Sequence, residues 1–257
     1  MTDPRPLPAG TPHQVRTNVL TLRGEPSYAA PHTSQLLFGE SFFVEEERDG
    51  WALGTCGTDL YRGWAPAAGL SAETTPPTHR VTALRSFVFP RPTFKAPASD
   101  HLSLNSPVAV VAEQDGYALL ATGGWVYAKH LSPLDAIFPD HVATAQRLLG
   151  VPYLWGGRSS LGIDCSGLVQ LSLGLAGHGV VRDTKDQKDS VGTLIGESLR
   201  DAPPRRGDLV YMPGHVGIAL DAETMLHANS FHMAVTIDPI HEVEARNGKP
   251  VWAVRRI

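Results

Sequence analysis

The sequence has few of the features that mark disulfide-rich, membrane-spanning or nucleic-acid-binding proteins. Among its 257 residues there are two cysteines, Cys56 and Cys165, which fall in different predicted domains and predict no disulfide. No segment approaches the roughly 20 apolar residues that a membrane span needs, so no membrane partner is expected. The net charge of -4, without a long run of basic residues, argues against a nucleic-acid partner.

Two further absences bear on location and on cofactors. The segment MTDPRPLPAGTPHQV at the N-terminus has neither the basic nor the apolar region of a secretory signal. We therefore expect a cytoplasmic protein with a flexible start over residues 1–13. No HExxH, paired CxxC or other compact ligand spacing occurs, so the sequence predicts neither a metal site nor a cofactor.

The segment VPYLWGGRSSLGIDCSGLVQ, residues 151–170, is the most informative part of the chain. It places Cys165 after Asp164 and before an apolar run that ends at Gly177, which predicts a cysteine at the start of a buried helix. Free backbone N–H groups and the helix dipole stabilise a thiolate there. The preceding glycines predict a loop whose backbone comes close to a ligand. Cys165 is a candidate nucleophile, and the alternative is a small buried core residue.

A thiol nucleophile needs a base and a group that orients the base. Three short strands are predicted downstream, over residues 208–212, 215–220 and 224–229. Antiparallel pairing of the last two brings His215 and His227 side by side. Asn229 shares a strand face with His227 and is an alternative orienting group. The other nine histidines fall in predicted loops or at element ends, where we expect them to be solvated.

An internal repeat occupies the first half of the chain. Residues 42–70 and 108–131 each contain an alternating strand, an Asp-Gly-aromatic turn, a second strand and a Gly-Trp strand opener. The offset is 66 residues from Asp49 to Asp115 and 61 residues from Trp64 to Trp125, which indicates a short insertion in the first copy. Short strands punctuated by glycine and proline predict two small β-barrels.

The ordered motifs YLWGG, GIDCSGLVQ, RDTKDQ, RRGDLV, HVGIAL and LHANS, spread over about the last 120 residues, resemble the NlpC family of papain-like cysteine peptidases. The resemblance implies an α+β catalytic domain in which a nucleophile helix packs on an antiparallel sheet. By position it implies that Cys165 is the nucleophile, His215 the base and acid, and His227 the orienting residue. It also implies that Tyr153 helps to hold the oxyanion, whereas the residues alone favour a core aromatic.

The two repeat copies resemble bacterial SH3-like domains, for which wall docking and a purely structural role are equally good interpretations. The resemblance implies four domains: a flexible start (1–13), barrel 1 (14–73), barrel 2 (76–133) and an NlpC-type peptidase domain (135–257). The stretch TTPP at residues 74–77 is the expected linker.

A subgroup with two such barrels cuts γ-D-glutamyl-diamino acid bonds of murein peptides and recognises a free N-terminal L-Ala. The resemblance to it implies that Asp164, Ser166, Asp183 and Tyr61 bind the substrate. An ammonium group taken from water needs a carboxylate partner, which agrees with two acids at one subsite. The two aspartates can equally be helix N-caps, and Tyr61 can be barrel core.

A cytoplasmic enzyme of this kind would recycle murein peptides. Two alternatives stay open at this stage. One is a thiol amidase or acyltransferase that acts on a different amide with the same triad. The other is an inactive adaptor that binds cell-wall peptides.

Overall fold

The computed structural model describes residues 8–257 and divides the chain into two compact units, Met1–Ile137 and Phe138–Ile257. The predicted flexible start, residues 1–13, lies partly outside the described residues. Within them, the segment from Thr11 is a strand that pairs with the strand at Ser41–Arg48. None of the described helices is both long and apolar enough to cross a membrane.

The N-terminal unit is built almost entirely from antiparallel strands. Its first sheet has the order β3-β2-β6-β5-β4-β1-β7. The strands of this sheet are β1 (Thr11–Val15), β2 (Val19–Arg23), β3 (His32–Leu37), β4 (Ser41–Arg48), β5 (Trp51–Cys56), β6 (Arg62–Pro66) and β7 (Leu70–Ser71), with a 3-10 turn at Ala67–Gly69.

Two smaller sheets follow in the same unit, with the orders β10-β9-β14-β13-β12 and β11-β8-β15. Their strands are β8 (His79–Val81), β9 (Arg85–Phe89), β10 (Asp100–Ser103), β11 (Pro107–Val108), β12 (Val110–Gln114), β13 (Tyr117–Leu120), β14 (Trp125–Tyr127) and β15 (Leu131–Pro133), with a 3-10 turn at Ala128–His130.

The internal repeat appears as the same local structure in both copies. Asp49-Gly50 and Asp115-Gly116 all have positive φ, as a two-residue type I′ hairpin turn requires. In each copy a second strand, a tryptophan-bearing strand, a 3-10 turn and a last short strand follow. The longer β5 and its connection to β6 hold the insertion of the first copy.

Closed barrels are absent from residues 8–257, contrary to the sequence prediction. The first sheet ends at β3 and β7, which pair on one side only, and β7 has two residues, too few to close a ring of strands. The second copy is split between two sheets. Its assignment as a second SH3-like module, and the domain boundaries, stay predictions.

The C-terminal unit contains a six-stranded antiparallel sheet of order β18-β23-β19-β20-β21-β22, with a short β16–β17 hairpin beside it. Its strands are β16 (Arg158–Ser159), β17 (Gly162–Ile163), β18 (Thr193–Gly196), β19 (Leu209–Met212), β20 (His215–Ala219), β21 (Thr224–Asn229), β22 (Ala234–Pro239) and β23 (Ala253–Arg256). The helices are α1 (His141–Gln146), α2 (Cys165–Leu175), α3 (Thr184–Ser190) and α4 (Ile240–Asn247).

The central strands of this sheet are buried on both faces. Strand β19 is buried at every position, and α2 packs against β20 and β21. Ile240 and Val243 of α4 join a separate apolar cluster with Met212 and Ala219. The predicted arrangement of a nucleophile helix on an antiparallel sheet is confirmed, and it holds the start of α2 near the start of β20.

Candidate active site

Cys165 is the first residue of α2, as the sequence predicts. It is 8% exposed, and its Sγ lies 3.8 Å from Oγ1 of Thr184 at the start of α3. The helix it begins is buried at every position except Gly174, so the sulfur stands on a rigid core element. Cys56, by contrast, lies in the apolar core of the first sheet, and neither cysteine takes part in a disulfide.

Asp164 caps α2 and is fully hydrogen-bonded. Its Oδ1 accepts from the Gly167 backbone N–H (2.8 Å) and from the Ser166 hydroxyl (3.2 Å). Its Oδ2 accepts from the Gly156 N–H at 3.0 Å and pairs with Arg182 at 2.5 Å. A carboxylate has about four acceptor sites, so the protein itself uses all of those on Asp164.

The glycines of this region serve packing within the protein rather than approach to a ligand. A Cβ on Gly167 would lie 2.2 Å from the carbonyl oxygen of Gly157, and a Cβ on Gly157 would lie 2.5 Å from that of Gly162. Contacts this close are impossible for any other residue type. The WGG loop is therefore pressed against both the first turn of α2 and the β16–β17 hairpin.

His215 and His227 form the pair that the sequence predicts. Nε2 of His215 lies 2.7 Å from Nδ1 of His227, and the two rings meet edge to face. His215 begins β20 and His227 lies within β21, the next strand of the sheet, so strand pairing sets their separation. The adjacency of the two imidazoles is confirmed.

Asp238 on β22 extends this pair, and the sequence analysis missed it. Its Oδ2 lies 3.2 Å from Nε2 of His227 and 3.1 Å from Nε2 of His232, and it also pairs with Arg246. His232 was expected to be a solvated loop residue, yet it takes part in this cluster. An acid on the neighbouring strand, eleven residues downstream of His227, gives no sequence signal until the register of β21 and β22 is known.

The carboxylate fixes which ring nitrogens carry protons. Because an ionised Asp238 can only accept, we assign the proton of His227 to Nε2. Nδ1 of His227 then accepts from Nε2–H of His215, which leaves Nδ1 of His215 to take a proton. Asn229 also lies 3.2 Å from Nε2 of His227, but its amide donates to Thr236 at 2.8 Å, so it supports the pair from the side.

Burial keeps the reactive groups neutral. It raises the pKa of Cys165 to about 11, assisted by the charge of Asp164, and it lowers the pKa of His215 to about 3, assisted by His227 and Arg246. Burial also lowers the pKa of His227. The direction of the pKa shift of Cys165 is opposite to the thiolate expected from the sequence, because desolvation of the buried sulfur, followed by the charge of Asp164, outweighs the helix dipole. A neutral thiol beside a neutral imidazole suits nucleophilic attack with concerted loss of the proton.

A cleft of about 300 Å³ joins these groups. Cys165, His215 and His227 line it, together with Tyr153, whose hydroxyl pKa is raised to about 12, mainly by burial. An amide that enters the cleft therefore meets a thiol, an imidazole pair and a phenol. Among residues 8–257, no group of three or more His, Cys, Asp or Glu side chains is arranged to hold a metal ion.

The four predicted substrate-binding residues have three different environments. Asp164 and Ser166 are buried and bonded to each other and to Arg182. Asp183 precedes α3 as its N-cap but makes no capping hydrogen bond, and burial raises the pKa of its half-buried carboxyl. Tyr61 packs against the apolar core of the first sheet. The roles assigned to these four residues stay predictions.

Family comparisons agree with this geometry. Residues 150–253 match the NlpC/P60 family, and residues 22–70 match the bacterial dipeptidyl-peptidase SH3 domain. A crystal structure of an NlpC/P60 family protein from Bacillus cereus shares the fold at a TM-score of 0.80, covering 95% of this chain and 99% of that one at 19% identity.

Two sequence relatives have names that describe an activity. Dipeptidyl-peptidase 6 from Lysinibacillus sphaericus is 35% identical over 133 residues, and the match spans about half of each protein, 48% in both cases. Gamma-D-glutamyl-L-lysine dipeptidyl-peptidase from Bacillus subtilis is 25% identical over 252 residues, which cover 87% of this chain and 80% of that protein. The chain therefore contains an NlpC/P60 domain over residues 150–253 and a bacterial SH3 domain over residues 22–70.

Proposed function

We propose that the protein is a cysteine peptidase that hydrolyses the γ-D-glutamyl-diamino acid bond of murein peptides with a free N-terminal L-Ala. The observation that carries the proposal is the position of Cys165 at the start of α2, in one cleft with a hydrogen-bonded His215–His227 pair. A thiol, an imidazole and a group that orients the imidazole form the minimal set for nucleophilic amide hydrolysis.

The proposed reaction has two halves, acylation of Cys165 and hydrolysis of the resulting thioester. Sγ of Cys165 attacks the γ-carbonyl of D-Glu while its proton passes to Nδ1 of His215. The backbone N–H of Cys165 and the hydroxyl of Tyr153 hold the oxyanion. His215 then gives the proton to the leaving amine, and a water molecule that the same imidazole deprotonates hydrolyses the thioester.

The half-buried carboxyl of Asp183 supports recognition of a free amine. It is the one predicted amine ligand of the catalytic unit whose side chain is not taken up by the network of Asp164, Ser166 and Arg182. A substrate ammonium would stabilise the charged form of this carboxylate, whose pKa burial raises. The name of the Bacillus subtilis relative, a dipeptidyl-peptidase, also fits removal of a dipeptide.

Free N-terminal L-Ala occurs on peptides that are no longer attached to glycan, so this specificity suits recycling of released fragments. Cytoplasmic location stays a prediction of the sequence, which fractionation of cells with an antibody to the protein checks.

The test compares two tripeptides that differ only at the terminal amine. We expect purified protein to release L-Ala-D-Glu from L-Ala-γ-D-Glu-diamino acid, with kcat/KM about 100-fold lower for the N-acetylated tripeptide, because acetylation removes an ion pair worth about 1.5 to 3 kcal/mol. Mass spectrometry of the products with initial rates measures both. Equal kcat/KM values would contradict amine recognition, and no hydrolysis of either tripeptide would contradict the peptidase assignment.

Asp238 is expected to act as a positioning residue in this reaction. In Asp238→Asn the amide can donate to Nε2 of His227, which reverses the tautomers along the pair and removes the free lone pair of His215. We expect kcat to fall about 100-fold with KM little changed. Steady-state kinetics on the free tripeptide measure the split between the two constants.

Asp189→Asn is the matched control, since Asp189 is an exposed acid on α3 and does not line the cleft. It should leave kcat and KM as they are. An Asp238→Asn protein with the wild-type melting temperature and an unchanged kcat would show that His227 needs no carboxylate.

A further inference from the structure

The chemistry of amide cleavage fixes which wall of the cleft receives the leaving diamino acid. The imidazole that protonates the leaving nitrogen must lie within hydrogen-bond reach of it. His215 follows directly after the turn Pro213-Gly214, and this turn lines the cleft. The diamino acid therefore lies against the turn and the residues next to it.

The charge on this wall is of one sign. Arg246 and Lys249 both line the cleft, and no carboxylate lines it among the described residues. Arg246 stacks on Phe231, with its guanidinium carbon 4.4 Å from the ring centroid, and pairs with the buried Asp238. Its position is thereby fixed, and Asp238 offsets much of its charge.

Lys249 is the cation that a ligand can engage. Its side chain is exposed, and its Nζ lies 3.4 Å from the carbonyl oxygen of Pro213. This contact uses one of three ammonium protons and is near the long limit of a hydrogen bond. The contact also holds the ammonium beside the turn that borders His215.

The two diamino acids found at this position of murein peptides differ at the end of the side chain. Lysine ends in an ammonium group alone, whereas diaminopimelate ends in an ammonium and a carboxylate. On a wall with two cations and no acid, the lysine ammonium has no partner and meets like charge. The additional carboxylate of diaminopimelate can pair with Lys249.

We propose that this wall, formed by Pro213, Gly214, Arg246 and Lys249, is a carboxylate-binding subsite, and that Lys249 makes the enzyme prefer diaminopimelate to lysine at the leaving position. The inference rests on the proposed function, because it concerns the second half of the same substrate. It adds which diamino acid is cut and which residue selects it.

The experiment measures kcat/KM for L-Ala-γ-D-Glu-meso-diaminopimelate and for L-Ala-γ-D-Glu-L-Lys on the full-length protein. We expect the first to be preferred about 10-fold, as one partly exposed ion pair allows. In Lys249→Gln the preference should fall to about 2-fold or less, and in Lys249→Glu it should reverse. Rising salt concentration should narrow the preference of the wild type by screening.

Lys185→Gln is the matched control, because Lys185 is an exposed lysine of the same unit that does not line the cleft. It should leave the ratio of the two kcat/KM values unchanged. Hydrolysis of both tripeptides with equal values, with lysine preferred, or with a ratio that Lys249→Gln does not alter would overturn the subsite and leave the peptidase assignment intact. Hydrolysis of neither would overturn both.

Discussion

Cys165→Ala is expected to reduce hydrolysis of the tripeptide to the background rate, a loss of about 10⁴-fold or more. Among the side chains that line the cleft, Cys165 alone carries a thiol that can form the thioester. Cys165→Ser should lose nearly as much, since burial that already raises the thiol pKa to about 11 opposes an alkoxide even more strongly.

Cys56→Ala is the matched control for this experiment. Cys56 is also buried, but it lies in the core of the first sheet, in the other compact unit of the chain. We expect its loss to lower the melting temperature slightly and to leave kcat/KM within about 2-fold of the wild-type value. Turnover by Cys165→Ala at the wild-type rate would rule out covalent catalysis by this thiol.

Arg182→Met is expected to destabilise the C-terminal unit by about 3 to 5 kcal/mol. The side chains of Arg182 and Asp164 are 3% and 9% exposed, and the guanidinium also donates to Ser166. Removing it leaves the Asp164 carboxylate buried beside Cys165 with only neutral donors. Urea unfolding followed by tryptophan fluorescence measures the free energy of unfolding, with the activity lost in parallel.

Arg206→Met provides a control of the same chemistry at the surface. Arg206 pairs with Asp140 at 2.8 Å, and these side chains are 51% and 49% exposed. Solvent screening limits such a pair to about 1 kcal/mol or less. A free energy of unfolding that falls equally in the two variants would show that the ion pair of Arg182 contributes no more than one at the surface.

The sequence predicts the elements of the catalytic unit that have strong local signals. The limits of β21, Thr224–Asn229, agree with the prediction, and those of β19 and β20 agree within one residue, because Pro213-Gly214 and the polar stretch at residues 221–223 separate the three strands. The same is true of α2, where apolar residues run from a cap to a glycine. The barrels fail because closure depends on pairing between distant edge strands, and local alternation carries no information on it.

The residues of the site also divide into those with a local sequence signal and those that only strand pairing brings together. Cys165, His215 and His227 can be identified because their neighbours in sequence define the elements that carry them. Asp238 and His232 cannot, since their relation to His227 exists only through pairing across the sheet. The neutral thiol also could not be anticipated, because the sequence shows the helix start but not how deeply the capping carboxylate and the sulfur are buried.

The contact between Gly157 and Gly167 has a consequence for motion of the cleft. Because the two backbones are in direct contact, the loop that carries Tyr153 and the first turn of α2 can move only together. The wall of the cleft that they form is therefore rigid. Gly214, on the facing wall, has open space around it and a positive φ. The Pro213-Gly214 hairpin is therefore the part of the cleft that moves when substrate enters and the amine departs. NMR relaxation measurements should find larger backbone motion at this hairpin than at the loop of Tyr153.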